Sequence, residues 1–152
     1  MSEKETCACG QSAYAIKAVA IPSSALILVN EAHVRLFVSQ ILVQIGVKTI
    51  YEAADADEGL RLFNERKPGL IWIDSRLGRG VSGLETLKRI RAQDEYVYTV
   101  LFSGEASSAS VMAALDAGAD GFIRKDTAPA EIARQLLEIV ADPEDEDGSE
   151  AP

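Results

Sequence analysis

Three side chains suited to phosphoryl transfer each close an apolar, strand-like run. Asp74 ends Leu70-Ile71-Trp72-Ile73-Asp74, Ser103 ends Val97–Ser103 and Lys125 ends Asp120–Lys125. A carboxylate can act as the nucleophile and form an acyl phosphate, while a hydroxyl and an ammonium hold oxygens of the transferred group. Open α/β sheets bind ligands outside the carboxyl ends of their strands, so the end of an earlier run, Ala25–Asn30, adds Asn30 and Glu31 to the comparison. Each residue alone has a plainer reading: an aspartate at a strand end caps a turn, a serine bonds its own loop, a lysine is solvated. Only the set in register points to chemistry.

The elements that must position this set are legible from periodicity. Leu70–Asp74 is apolar at every position before its carboxylate, which suits a strand covered on both faces. Strand-like runs at Ala25–Asn30, Lys48–Ala53, Leu70–Asp74, Val97–Ser103 and Asp120–Lys125 alternate with helical ones, the signature of βαβ units around a parallel sheet. The first helix carries the stripe Val34, Phe37, Val38, Ile41, Leu42 and Ile45, and Gly46 stops it. A second helix over about Asp55–Glu65 ends before Pro68, and a third starts near Ser82. The fourth, about Ser107–Ala117, is mostly Ala and Ser around Val111, Met112 and Leu115, so it buries little area and is weakly held. The fifth buries Ile132, Leu136, Ile139 and Val140, with Ala133 and Leu137 widening its apolar face sideways. Asn30 has a bland alternative role, capping the first helix.

Composition narrows the partners. At 152 residues and 47% hydrophobic content the chain suits one globular domain. A net charge of -9 disfavours nucleic acid and anionic membrane. No apolar run reaches the roughly 20 residues that cross a bilayer, which leads to an expectation of cytoplasmic residence. Cys7 and Cys9 are too close for a typical disulfide and lack the second ligand pair of a structural zinc site. His33, the single histidine, reads as a surface residue, and Arg76 and Arg79 as loop cations beside the candidate site.

As a set and in this order, the residues closely resemble the receiver domain of two-component response regulators. The likeness covers about Ala25–Val140. It rests on Ile-Asp-Ser-Arg-Leu-Gly around Asp74, Ser-Gly-Glu at Ser103–Glu105, and Ala-Gly-Ala-Asp-Gly-Phe-Ile-Arg-Lys-Asp over Ala117–Asp126. The resemblance implies an α/β fold of flavodoxin-like (βα)5 type, a doubly wound parallel sheet in strand order 2-1-3-4-5. It implies Asp74 as phosphoacceptor, Ser103 as switch hydroxyl, Lys125 as the lysine on the phosphoryl oxygens and Phe122 as the aromatic switch. The expected divisions are an N-terminal extension over 1–24, partly disordered, a receiver domain over 25–141 and an acidic disordered tail over 142–152.

The chain departs from the receiver pattern where Mg²⁺ binds. Receivers usually end the first strand with two acidic residues that hold the ion. Aligned without a gap, this chain has Val29 and Asn30 there; a one-residue shift places Asn30 and Glu31 there instead. Either way the cluster is depleted, and Mg²⁺, left to Asp74, Asn30, the carbonyl of Arg76 and Glu31, is expected to bind weakly or not at all. The loop Gly78–Gly83 also lacks the usual proline and is one residue longer, and Asp126 stands where proline commonly follows the lysine.

The leading expectation is a single-domain response regulator that takes a phosphoryl group from a histidine kinase or phosphotransfer protein onto Asp74. It would signal to a downstream protein, with the fourth helix, fifth strand and fifth helix as the surface for that partner or for a second copy. The rival is a pseudo-receiver, an interaction module independent of phosphorylation. An aspartyl hydrolase or phosphatase would want a second acid two residues after Asp74, where Arg76 stands. A flavin carrier would need a hydroxyl-rich loop after the first strand. An enzyme in the ordinary sense is not expected.

Overall fold

The computed structural model describes residues 21–105 and 107–140. In chain order the strands are β1 (Ser24–Leu28), β2 (Thr49–Ala53), β3 (Leu70–Asp74), β4 (Tyr98–Ser103) and β5 (Gly121–Arg124). The helices are α1 (Ala32–Ile45), α2 (Ala56–Arg66), α3 (Gly83–Gln93), α4 (Ser108–Asp116) and α5 (Pro129–Val140), with a 3₁₀ turn at Gly78–Gly80. Every strand pair is parallel, in the order β2-β1-β3-β4-β5. The parallel pairing is what the βα alternation predicts, and the doubly wound order is the one that the resemblance to receiver domains implies. The expected N-terminal extension and acidic tail, with Cys7 and Cys9, fall outside the described residues apart from positions 21–24, where Ile21 packs on the core.

Side chains that alternate along each strand build two cores. Ala25, Ile27, Trp72, Val100 and Phe102 face α1 and α5, which supply Val38, Ile41, Leu42, Ile132 and Leu136. Leu26, Leu28, Ile71, Ile73 and Leu101 face α2, α3 and α4, which supply Phe63, Leu87, Ile90 and Ala114. All five residues of β3 are buried, as their unbroken apolar character requires.

Local chemistry ends each helix where the sequence indicates. Gly46 adopts φ 115° and its N–H closes α1 on Leu42 and Val43. Asp55, Ser82 and Ser107 cap α2, α3 and α4 by accepting from backbone N–H groups two to three residues on. Asn30, in contrast, does not cap α1: the N-cap is Glu31, whose side chain makes no capping bond. The fourth helix is held as weakly as its composition predicts, with Ala114 its only buried residue. Met112 and Leu115, two of its three large apolar residues, point outward at 57% and 52% exposure.

Candidate functional site

Asp74, Ser103 and Lys125 meet at the carboxyl edge of the sheet because three neighbouring strands end in step. Asp74 pairs with Phe102 and Ser103 with Arg124, so Ser103 and Lys125 follow one residue beyond. The Ser75 N–H donates to the Phe102 carbonyl at 2.9 Å and the Lys125 N–H to the Ser103 carbonyl at 2.9 Å, which carries the ladder past the strand ends. Asp74 is 3% exposed. Lys125 Nζ lies 2.9 Å from its Oδ2, and the Arg76 backbone N–H donates to its Oδ1 at 3.0 Å. A buried carboxylate needs such partners, because an unpaired charge is costly away from water.

Ser103 is buried and turned into its own loop. Its Oγ accepts from the Glu105 N–H at 3.0 Å and donates to the Glu105 carbonyl at 3.2 Å. Lys125, Ser103, Gly104, Glu105, Ser75 and Arg76 line a cleft of about 370 Å³, room for a phosphoryl group and part of its donor. Lys125 Nζ also lies 5.8 Å from the centre of the Phe102 ring, which packs on Trp72 at 4.8 Å. Phe122, the expected aromatic switch, is half-buried and packs against the core on the α2–α4 side.

The loop after Asp74 is fixed by backbone contacts. Arg76 bridges Ser82, Leu77 N–H donates to the Val81 carbonyl at 2.9 Å, and Gly83 N–H donates to the Ser75 carbonyl at 2.9 Å. This seats the start of α3 directly on Asp74: a Cβ on Gly83 would fall 1.9 Å from the Asp74 carbonyl oxygen. No hydrophobic pattern signals this contact, and in sequence Gly83 is only the last residue of the loop Gly78–Gly83. Two arginines were missed as well. Arg35 donates to the carbonyls of Val29 (2.7 Å) and Asn30 (3.1 Å) and pairs with Glu52, pinning the turn after β1. Arg91 ties the α3–β4 turn to the start of β5, donating to Asp94, Val97, Thr99, Gly118 and Asp120. Their partners lie up to 29 residues away, beyond the reach of local spacing rules.

The residues do not fit a resident divalent ion. Asp74 is the buried carboxylate of the site, with both its oxygens engaged, and Glu105 stands on the wall of the adjoining cleft. Val29 is apolar and fully buried in the α1-side core. Asn30 lies against the loop after Asp74, with its Oδ1 3.1 Å from where a Gly78 Cβ would sit, whereas Glu31 is exposed at the start of α1. Among the described residues no three Asp, Glu, His or Cys side chains come together. Mg²⁺ demands near-octahedral oxygen donors and is held through carboxylates, so one shared carboxylate is a poor base for it.

A second, wider cleft runs along β5 and α5, lined by Tyr96, Tyr98, Phe122, Ile139 and polar residues of α5 including Arg134, Gln135 and Glu138. Leu137, expected to widen this face, is half-buried and does not line it. Hydrogen bonds from Arg134 and then Gln135 hold the Glu131 carboxyl down at about 2. Because that value is depressed, the stabilisation is full above the ordinary value of 4.5 and is lost as pH falls through about 2. A carbon-detected NMR titration should show Glu131 ionised at pH 3; a midpoint near 4.5 would mean the contacts do not persist in solution.

The sequence profile of the response regulator receiver domain matches residues 25–137. The transcriptional activator protein ExaE of Pseudomonas putida is 37% identical over 92 residues, 60% of this chain and 42% of its own length. The nitrate/nitrite response regulator protein NarL of Escherichia coli K12 is 29% identical over 121 residues, 79% of this chain and 56% of its own. The chain thus spans about half the length of these curated relatives. The crystal structure of a CheY-like response regulator receiver domain protein from Methanospirillum hungatei JF-1 aligns with TM-score 0.73 at 26% identity, covering 82% of this chain and 98% of that one. With the strand order and the matched span in agreement, the chain belongs to the response regulator receiver domain family.

Proposed function

We propose that this chain is a response regulator receiver whose Asp74 accepts a phosphoryl group from a phosphohistidine on a sensor histidine kinase or phosphotransfer protein. The observation that carries this reading is the Asp74 carboxylate itself, buried between the Lys125 ammonium and the Arg76 amide beside a cleft lined by Lys125, Arg76 and Ser103. A carboxylate oxygen attacks phosphorus, the bond from phosphorus to the imidazole nitrogen breaks, and the imidazole leaves after taking up a proton. Lys125 and the Ser103 hydroxyl then hold oxygens of the acyl phosphate, with Ser103 exchanging its Glu105 contacts for the phosphoryl group. The chain catalyses at most its own modification. Mass spectrometry of the intact protein after incubation with acetyl phosphate tests this: wild type gains one phosphoryl group and Asp74→Asn gains none.

Receiver domains generally bind Mg²⁺ at an acidic pocket; here we propose weak affinity, about millimolar or worse, since each missing carboxylate forfeits roughly 1–4 kcal/mol of attraction. A second reading, a pseudo-receiver that docks partners without phosphorylation, is favoured by the buried Val29 at the end of β1. Among the described residues no helix is long and apolar enough to cross a membrane, in keeping with the proposed cytoplasmic location.

Output is proposed to run through α4, β5 and α5, to a downstream protein or a second copy. Exposed Met112 and Leu115 give α4 an apolar face beside half-buried Phe122, on a helix with a single buried residue to hold it. Leu115→Glu should weaken association by about tenfold, the effect of a charge on an interface core, while melting within about 2 °C of wild type, as an exposed substitution should. Sedimentation with and without acetyl phosphate checks it, and unchanged association with unchanged partner binding removes this surface from signalling.

A further inference from the structure

Oxyanion chemistry at Asp74 needs positive charge, and the structure offers a source for it other than a metal. In an acid-rich receiver pocket, three carboxylates against one lysine leave a deficit that a divalent ion fills. Here Asp74 faces Lys125 directly, and the carbonyls at the end of β1 are already taken by Arg35. Arg76 follows two residues after Asp74. Its backbone N–H is bound to the Asp74 carboxylate, and Arg76, an exposed residue, is part of the wall of both the cleft that holds Lys125 and Ser103 and the adjoining one along Leu77, Gly80 and Val81. Arg35, Arg61, Arg91, Arg124 and Arg134 are all paired with carboxylates. The Arg76 guanidinium makes no hydrogen bond or ion pair with the described residues. Glu105 is the other charged group on the cleft wall, and with it included the two carboxylates and two cations balance.

We propose that Arg76 is a catalytic residue of this site, its guanidinium holding phosphoryl oxygens in place of a divalent ion, so that transfer to Asp74 is independent of metal. The proposal rests on the reading of Asp74 as phosphoacceptor. A guanidinium presents a fixed fork of donors that matches two oxygens of a phosphoryl group, and it cannot lose its proton at working pH. With acetyl phosphate as donor, a new bond forms between an Asp74 carboxylate oxygen and phosphorus. The bond from phosphorus to the acetyl oxygen breaks, and acetate leaves with the electron pair. No proton or further reactant is required. Arg76 and Lys125 each offset charge on the oxygens as the group passes between the two carboxylates.

The test is the rate of mass gain from acetyl phosphate, in EDTA and in excess Mg²⁺, for wild type, Arg76→Gln, Arg76→Lys and the double variant Asn30→Asp/Arg76→Gln. Wild type should react at rates within about twofold in the two buffers, Arg76→Gln at least about tenfold slower in both, and Arg76→Lys in between. The double variant should recover rate in Mg²⁺ alone, a response that a merely structural role for Arg76 does not produce. A wild-type rate that collapses in EDTA, or an Arg76→Gln rate equal to wild type, overturns the proposal and leaves Asp74 as phosphoacceptor. If wild type gains no phosphoryl group in either buffer, the phosphoacceptor reading falls. NMR titration with inorganic phosphate in EDTA then decides the rest: shifts at the Arg76 Nε–H and Ser103 amide sustain the anion-holding role, and their absence overturns it.

Discussion

Gly83→Ala is expected to destabilise the protein by about 3 kcal/mol, the upper end of the range for overpacking a filled space. That corresponds to about 10 °C in melting temperature for a domain of this size. The added Cβ would lie 1.9 Å from the Asp74 carbonyl oxygen, 2.9 Å from its carbonyl carbon and 3.0 Å from Ser75 Cα, and all three are backbone atoms with no rotamer to change. Gly83 cannot back away cheaply either, because its N–H is bound to the Ser75 carbonyl. Relief must come from moving the end of β3, which carries the Asp74 carboxylate away from Lys125. The variant should therefore lose both thermal stability and phosphoryl acceptance, measured by calorimetry and intact mass. A variant that melts and reacts like wild type would show that α3 does not sit on β3 in solution.

Restoring acids at the end of β1 should have opposite outcomes at adjacent positions. Val29 is fully buried among Ile27, Val38 and their neighbours, so Val29→Asp places an unpaired carboxylate in the core at a cost of several kcal/mol. Asn30 is exposed and lies against the loop that follows Asp74, so Asn30→Asp adds a carboxylate near the site without burying it. It should tighten Mg²⁺ by roughly 5- to 1000-fold, the equivalent of 1–4 kcal/mol of added attraction. Calorimetric titration with Mg²⁺ and a thermal melt of each variant separate the two effects. If Val29→Asp melts like wild type, or Asn30→Asp leaves Mg²⁺ affinity unchanged, the placement of this strand end is wrong.

The sheet was legible because β3 and the α1 stripe obey simple periodic rules: an all-apolar run for a strand buried on both faces, and Val38, Ile41 and Leu42 on one face before Gly46. Tertiary contacts that pin the turns around the sheet and seat α3 on β3 were not. Arg35 and Arg91 look in sequence like any exposed cation on a helix, and their carbonyl partners carry no residue code at all. Gly83 mattered for a close approach rather than for chain freedom, a distinction only three-dimensional packing reveals. The few apolar residues of α4 could be counted in sequence, but not the rotation of so short a helix, which turns Met112 and Leu115 outward. Asp74, Ser103 and Lys125 were recognisable because strand ends are where open α/β sheets place their chemistry.

The central claim is that Asp74 becomes an acyl phosphate. Borohydride reduces an aspartyl phosphate to homoserine, which marks the modified position in a peptide map. After treatment with acetyl phosphate and then borohydride, the account predicts homoserine at position 74 and at no other aspartate of the receiver domain. Homoserine at another aspartate, or none anywhere from protein that remains folded, would contradict it.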